Sequence, residues 1–327
     1  MYKEKILSFL RSSRTAFLSG EELARKTGVS RTMVWKHIKS LERDGFGIEA
    51  MPSQGYRITF EPDILRQNDI KQGLKTKVMG KELHLFPEIA STNTLAMEMA
   101  SQGAAEGTVV IAELQTGGKG RLGRKWISPK GNLYLSVILR PNIPMHKAPI
   151  ITLMGAVAVT SAVRGLLSIP AAIKWPNDIL VANRKVSGLL TEMSAEQDRI
   201  RHLVLGIGVD VNMEQDSLPP DLRPLVTTLA AEAGKKINRT ELLREILRQL
   251  DCWYQAFLNN AADVLREWEK LNMTIGNRII VSGAGEKLEG LAQGIDEEGR
   301  LIVLREDGAT RHVAAGDVSI LKGARGQ

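Results

Sequence analysis

Cysteine is nearly missing from this chain of 327 residues: Cys252 stands alone, which excludes an internal disulfide and a zinc site built from cysteines. Its place in the helical pattern LLREILRQLDCWYQAFL reads as a buried structural thiol, and no chemistry is assigned to it. Long apolar runs are missing too. No run approaches the roughly 18 to 20 residues that span a bilayer, and the opening MYKEKILSFLRSS is too charged and too soon interrupted for a secretory signal. The expectation is a cytoplasmic protein with no membrane partner. Signs of disorder are absent as well, since 43% hydrophobic and 25% charged residues are ordinary for a globular chain with room for two or three cores.

What the chain does have is a basic excess, a net charge of +7, which suits a polyanionic partner but is also common in proteins that bind none. Its distribution says more. Residues 1–62 hold 11 Lys/Arg against 7 Asp/Glu, residues 63–273 hold 26 against 22, and residues 274–327 hold 7 against 8. The small N-terminal piece is the basic one for its size. There, KEKILSFLRS carries Ile6, Leu7 and Leu10 at helical spacing, and Ser19 with Glu22 forms a capping box that opens a helix ended by Gly28. Ser30 is the expected N-cap of the next helix, with Val34, Ile38 and Leu41 on one face. FGIEAM and GYRI then read as strands around the turn Pro52-Ser53-Gln54-Gly55. This order predicts a winged helix-turn-helix over 1–62, with Glu21, Arg31, Thr32, Trp35, Lys36 and Lys39 as candidate DNA-facing residues. The alternative is an unrelated three-helix module whose charges are merely solvated.

A polar linker is expected over 63–82, and mixed α/β text follows. LHLFPEIA and GTVVIAELQT read as strands, and STNTLAMEMASQG as a helix capped by Ser91 or Thr92. Next comes GGKGRLGRKW, in which Gly118, Gly120 and Gly123 spell G-x-G-x-x-G. A dinucleotide turn needs a helix straight after the glycines, to hold the pyrophosphate at its N-terminus. A turn and the strand pattern NLYLSVIL follow instead, and Arg124-Lys125 stands where a Walker loop needs Lys-Ser/Thr. The string therefore reads as a strand-to-strand loop whose cations Lys119, Arg121, Arg124 and Lys125 suit a carboxylate or phosphate, or else as a flexible, solvated basic loop. Farther on, Trp175-Pro176-Asn177-Asp178 breaks a strand pattern, and a short turn at Ala182-Asn183-Arg184 can return Lys185 to that break. In HLVLGIGVDVNM, Gly206 and Gly208 are read as places where backbone meets a flat ligand.

STN at 91–93, AELQTGGKGRLGRKW at 112–126, KWPNDIL at 174–180, RKVSGLLTEM at 184–193 and GIGVDVN at 206–212 resemble, in order and spacing, the motif set of biotin protein ligases. With the N-terminal winged helix, the likeness covers essentially the whole chain and is to the bifunctional form that also represses transcription. The resemblance implies an α+β protein: a winged helix-turn-helix, a central mixed α/β domain of the biotin/lipoate ligase type over 83–272, and an SH3-like barrel over 273–327. It implies biotin and ATP with Mg2+, formation of biotinyl-5′-AMP, and transfer to one lysine of a biotin carboxyl carrier domain. It also implies operator DNA as a partner and a homodimer when biotinyl-AMP is bound.

By the same resemblance, Ser91, Thr92, Asn93, Gln115, Lys119, Gly120, Arg121 and Lys185 contact biotin, and Arg121 and Lys185 are catalytic. Gly118, Arg124, Trp126, Asn177, Asp178 and Asn212 contact the nucleotide, and Asp178 meets its Mg2+. The chain reads GKGRLGR where the family usually reads GRGRRGR, so Lys119 lacks the guanidinium fork and Leu122 removes a charge. The segment after Asn212 is expected to cover the adenine.

Residues 238–272 read as one or two amphipathic helices, and the short strands from Thr274 onward suit a five-stranded barrel that either helps the site or is purely structural. Two other functions fit the same text. One is a lipoate ligase, disfavoured by KWPNDIL and the winged helix. The other is a transcription factor with a passive effector pocket, disfavoured because so many cations exceed what one carboxylate needs.

Overall fold

A computed structural model describes residues 2–196, 199–283 and 287–325. The chain divides into two compact units between Ile64 and Leu65. In the first, α1 (Tyr2–Ser12), α2 (Gly20–Thr27) and α3 (Arg31–Arg43) precede the hairpin of β1 (Gly47–Met51) and β2 (Gly55–Phe60). Local chemistry sets these boundaries. Ser19 Oγ accepts from Glu22 N at 3.0 Å and Ser30 Oγ from Met33 N at 3.2 Å, while Gly28 ends α2 in the left-handed region. Ile6, Leu7, Leu10, Val34, Ile38 and Leu41 are buried, as the helical spacing predicts, and close this unit's core with Leu23, Phe46 and Ile58.

The second unit begins inside the stretch expected as linker. Leu65, Ile70 of α4 (Gln67–Lys71) and Met79 are buried in its core. Asp251 accepts the backbone N–H groups of Lys77, Val78 and Met79 at 2.8, 2.7 and 3.0 Å, which fixes this polar segment without a regular element. The next elements are β3 (Leu83–Phe86), α5 (Thr92–Ser101), β4 (Val109–Ala112), β5 (Leu133–Leu139), α6 (Ala148–Leu167), β6 (Ala172–Lys174), β7 (Asp178–Val181), β8 (Arg184–Glu196) and β9 (Arg199–Val209). The strands form one sheet in the order β3-β4-β5-β9-β8-β7-β6, antiparallel except for β3 with β4. On one face α5 packs its Ala96 and Ala100 against Val110, Ile138 and Val204. The alternate residues Val109, Ile111, Val137, Leu203 and Leu205 join the main core with α6, α8 (Arg239–Asn259) and α9 (Ala261–Leu271), the latter two following the short α7 (Leu229–Ala233). Antiparallel β10 (Asn277–Ser282), β11 (Lys287–Ile295), β12 (Leu301–Leu304), β13 (Thr310–Val313) and β14 (Asp317–Arg325) make the five-stranded C-terminal sheet. Its Ile279, Val281, Ala292, Leu301 and Val303 are continuous with the same core.

Two expectations are corrected. Cys252 is exposed: it sits about 100° around α8 from Asp251, whose side of the helix, with Leu247, Leu250 and Tyr254, is the buried one. Among the described residues one helix, Met145–Leu167, is long and apolar enough to cross a membrane. Thr152, Gly155, Thr160 and Ser161 interrupt its apolar letters and hid it from a search for unbroken runs. They are small residues in a core helix, and at Gly155 α6 lies so close to the sheet that a Cβ would meet Leu189 and Leu205 Cδ2 at 2.7 and 2.8 Å.

Candidate functional site

The cavity in the second unit opens over β8 and β9 in the middle of the sheet, and its floor is polar because the start of α5 points there. Ser91 caps α5, accepting from Thr94 N at 3.4 Å; this uses a lone pair and leaves the hydroxyl in the cavity wall. Thr92 donates from both N and Oγ1 to Gln115 Oε1, at 2.8 and 3.0 Å, and Gln115 Nε2 donates to Ser128 Oγ at 3.0 Å. Buried Ser136 has its Oγ 2.8 Å from Thr92 Oγ1 and 2.6 Å from Asn93 Oδ1. Asn93 Nδ2 donates to Glu192 Oε2 at 2.8 Å and to Leu190 O at 3.2 Å, so its amide is held by the sheet on both sides.

Gly206 belongs to that arrangement, since a Cβ there would lie 2.0 Å from Asn93 Oδ1. Gly208 and Gly188 make room for Trp126: their Cβ atoms would lie 2.6 Å from its Nε1 and 2.9 Å from its Cζ3. Gly206 and Gly208 line the cavity themselves, where their backbone is open to a ligand. They also clear space for the protein's own Asn93 and Trp126, which then face the cavity.

The glycine-rich loop is folded. Gly120 N donates to Arg124 O at 2.7 Å, Trp126 N to Gly118 O at 2.9 Å, and Lys119 pairs with Lys125, making a small hairpin whose tip has left-handed Leu122 (φ 55°) and Gly123 (φ 73°). Leu122 is 66% exposed. A non-glycine residue in that region costs about 1–2 kcal/mol, so the chain keeps a strained leucine where the family pattern has a cation.

Across the cavity stands the β7–β8 hairpin. Lys185 Nζ lies 2.6 Å from Asp178 Oδ1 and 5.0 Å from the centre of the Trp126 ring, while Asn177 Nδ2 donates to Leu189 O at 2.8 Å. Arg121 Nη1 donates to Asn177 Oδ1 at 3.1 Å and to Gly316 O at 3.4 Å, and Arg124 pairs with Asp317. Burial pulls the Arg121 guanidinium below its ordinary pKa, opposed by Asp317 and Asp178 and reinforced by Arg124. Trp175 anchors this wall: its N donates to Thr274 Oγ1 at 2.9 Å and its Nε1 to Gly299 O at 3.1 Å. Beside Lys185, the segment after Asn212 returns, with Leu225 O accepting from Lys185 N and Thr227 N donating to Lys185 O, both at 2.9 Å.

One cavity therefore gathers Ser91, Thr92, Asn93, Gln115, Lys119, Gly120, Arg121, Arg124, Trp126, Asn177, Asp178 and Lys185. Two expected residues lie outside its lining. Asn212 splices the chain, donating from Nδ2 to Ile237 O at 2.8 Å and accepting from Ile237 N at 2.9 Å. Gly118 is a spacer whose Cβ would lie 2.3 Å from Trp126 O. Sequence reading missed Ser128, Ser136, Glu192 and Asp317. Ser136 left a signal, a lone serine within the apolar run LYLSVIL, whereas Asp317 left none. Among the described residues no three His, Cys, Asp or Glu side chains cluster to hold a metal, and the carboxylates lining the cavity are Asp178 and Asp317. A polar slot next to clustered cations suits a neutral hydrogen-bonding head group with a carboxylate, placed beside a phosphate ester.

In the first unit, the solvent side of α3 presents Arg31, Thr32, Trp35, Lys36 and Lys39. A groove between the starts of α2 and α3 and the hairpin is lined by Glu21, Arg31, Thr32, Trp35, Met51 and Tyr56. All six DNA-facing candidates are exposed, and Lys39 pairs with Glu42 at 2.7 Å.

Residues 3–57 match the HTH domain family, residues 85–210 the Biotin/lipoate A/B protein ligase family and residues 274–321 the Biotin protein ligase C terminal domain. The Bifunctional ligase/repressor BirA of Bacillus subtilis is 37% identical over 315 residues, 96% of this chain and 97% of that protein. The BirA of Escherichia coli is 30% identical over 306 residues, 93% of each chain. The structure of the biotin protein ligase from Aquifex aeolicus in complex with biotin and ATP aligns with a TM-score of 0.63 at 29% identity, covering 74% of this chain and all of that one. Winged helix, ligase cavity and C-terminal barrel all align with relatives matched over nearly their whole length, and the chain belongs to the biotin protein ligase family, in its bifunctional ligase/repressor form.

Proposed function

We propose that this chain is a biotin protein ligase that forms biotinyl-5′-AMP from biotin and ATP, transfers the biotinyl group to one lysine of a carrier domain, and represses transcription in response to biotin. The observation that carries the reading is the meeting, in one cavity, of the Ser91–Gln115 hydrogen-bonding floor with Arg121 and Lys185. The floor matches a ureido ring, whose N–H groups and carbonyl need acceptors and a donor. In the first step a biotin carboxylate oxygen attacks the α-phosphorus and pyrophosphate leaves. Two anions must approach, and Arg121 and Lys185 offset the charge that accumulates between them, with Lys119 and Arg124 at the rim. Lys185 is poised for this by Asp178 and Trp126, either of which a nucleotide can replace as its neighbour.

Trp126 offers a ring face for adenine, and Asn177 and Asp178 offer polar contacts to the nucleotide. Gly118 and Asn212 support it indirectly, through the loop and the chain after β9. Mg2+ would ride on the ATP phosphates against Asp178, where it supplies charge neutralisation. In the second step the lysine ε-amine attacks the acyl carbon, breaking the anhydride and releasing AMP. The loop that carries Arg121 and Arg124 excludes water until then.

Glu21, Arg31, Thr32, Trp35, Lys36 and Lys39 form the operator-facing surface, and the ligand-bound chain acts as a cytoplasmic homodimer on a two-fold site. Intact-mass measurement of a carrier domain incubated with the protein, MgATP and either biotin or lipoate tests the catalytic reading. A gain of one biotinyl group on one lysine is expected. No gain removes the ligase activity, and a gain with lipoate alone overturns the choice of biotin.

A further inference from the structure

Each cation of the ligase cavity that anchors the loop or wall has a protein partner in the ligand-free chain. Lys185 has Asp178 from the same hairpin. The loop arginines are held from elsewhere: Arg121 donates to the carbonyl of Gly316, and Arg124 pairs with the carboxylate of Asp317, at the first residue of β14 in the C-terminal sheet. Asp317 also lines the cavity and lies close enough to Arg121 to favour its charged form. The turn before β14 is rigidly placed, because a Cβ on Gly316 (φ 154°) would lie 2.5 Å from Val281 Cγ1 of β10. β10 in turn belongs to the core shared with α6 and the catalytic sheet. The loop itself has little other anchorage at its tip, where Leu122 and Arg124 are exposed and nothing lies within 4 Å of a Cβ on Gly123.

We propose that Asp317 is a positioning residue of the ligase site: it fastens the glycine-rich loop to the C-terminal barrel through Arg124 and so holds the loop down over the activated biotinyl group. The proposal rests on the ligase reading above and adds a duty for the barrel within it. A carboxylate fits this duty because it pairs directly with the exposed guanidinium of Arg124 at the rim. With Arg124 tied to Asp317, the more buried Arg121 is left to face the anion and the tip is kept shut.

The test measures how fast the loop lets its ligand go. The full-length chain is loaded with 5′-O-(N-biotinyl)sulfamoyl adenosine, a stable mimic of biotinyl-AMP, and release is followed by chase with excess unlabelled compound. Asp317→Asn is expected to release the mimic about threefold faster or more, the scale of one solvent-accessible ion pair. Asp317→Glu is expected to hold it as the wild type does. In parallel, Asp317→Asn with biotin and MgATP is expected to label a bystander protein lacking a carrier domain more than the wild type does, relative to adenylation measured by pyrophosphate release. Wild-type release rates in a folded Asp317→Asn chain, or faster release in Asp317→Glu to the same degree as in Asp317→Asn, would overturn the proposal. Failure of the wild-type chain to release pyrophosphate with biotin would instead overturn the ligase reading, so the two failures are told apart.

Discussion

At the scale of single residues, the least ordinary group is Asp210. It is fully enclosed, accepts from Asn132 Nδ2 at 3.0 Å, and interacts with Tyr134 and Lys185 within the polar cluster behind the cavity. Burial pushes its carboxyl up to about 8, and Lys185 opposes the shift. An acid with a raised pKa in the folded state binds a proton that the unfolded chain has already lost. Its contribution to stability is therefore complete below about pH 4 and falls as pH rises from there through about 8. The Asp210→Asn variant, which stays neutral throughout, is expected to gain melting temperature over the wild type progressively between pH 5 and pH 8.5. Calorimetry of both proteins across that range checks it. A constant difference would mean that Asp210 is already ionised in the folded chain at pH 5, as it is in the unfolded one. The opposite case stands nearby: Arg239 is buried to 1% yet paired with Glu113 at 2.7 Å and bonded to Asn132 O, so its charge is met inside the fold.

At the scale of elements, β8 and β9 are paired through Gly188 and Gly208, directly opposite each other in the ladder, and this glycine pair is the seat of Trp126. Gly208→Ala should displace the ring, because strand backbone cannot yield while the half-buried indole can. The expected outcome is a roughly tenfold rise in the KM for ATP, equivalent to about 1.4 kcal/mol, with the biotin KM little changed, and steady-state kinetics with both substrates checks it. An equal loss for both substrates would point to a damaged sheet. How much of this was legible depends on sequence distance. Caps such as Ser19 with Glu22 and Ser30 with Met33 act over three residues, and the turn that returns Lys185 to Asp178 over seven, so both could be read from letters. The glycines were noticed as cavity backbone but their second duty was not, because nothing local says that Asn93 and Trp126 will arrive from other elements. Asp317 reaches Arg124 across 193 residues, and Cys252 was misplaced because one helical residue decides between core and solvent.

At the scale of the whole molecule, each unit closes its own core, and the two chemistries are divided between them: cations on α3 in the first, the ligase cavity in the second. A protein that represses only when biotin is plentiful must carry a coupling free energy between these sites, and linkage makes it reciprocal. The expectation is therefore quantitative. With a duplex selected from a random library, saturating biotin and MgATP should tighten DNA binding at least roughly tenfold at fixed salt, a coupling of about 1.4 kcal/mol. By the same linkage, saturating DNA should tighten the binding of biotinyl-AMP by the same factor. Salt separates contact from coupling: Lys36→Ala, which removes one exposed cation from α3, should lower the log–log salt slope by about 1 and leave the response to biotin intact. DNA affinity that ignores biotin and ATP would leave the winged helix a binding module without a sensor. A salt slope unchanged in Lys36→Ala would move the phosphate-contacting surface away from α3.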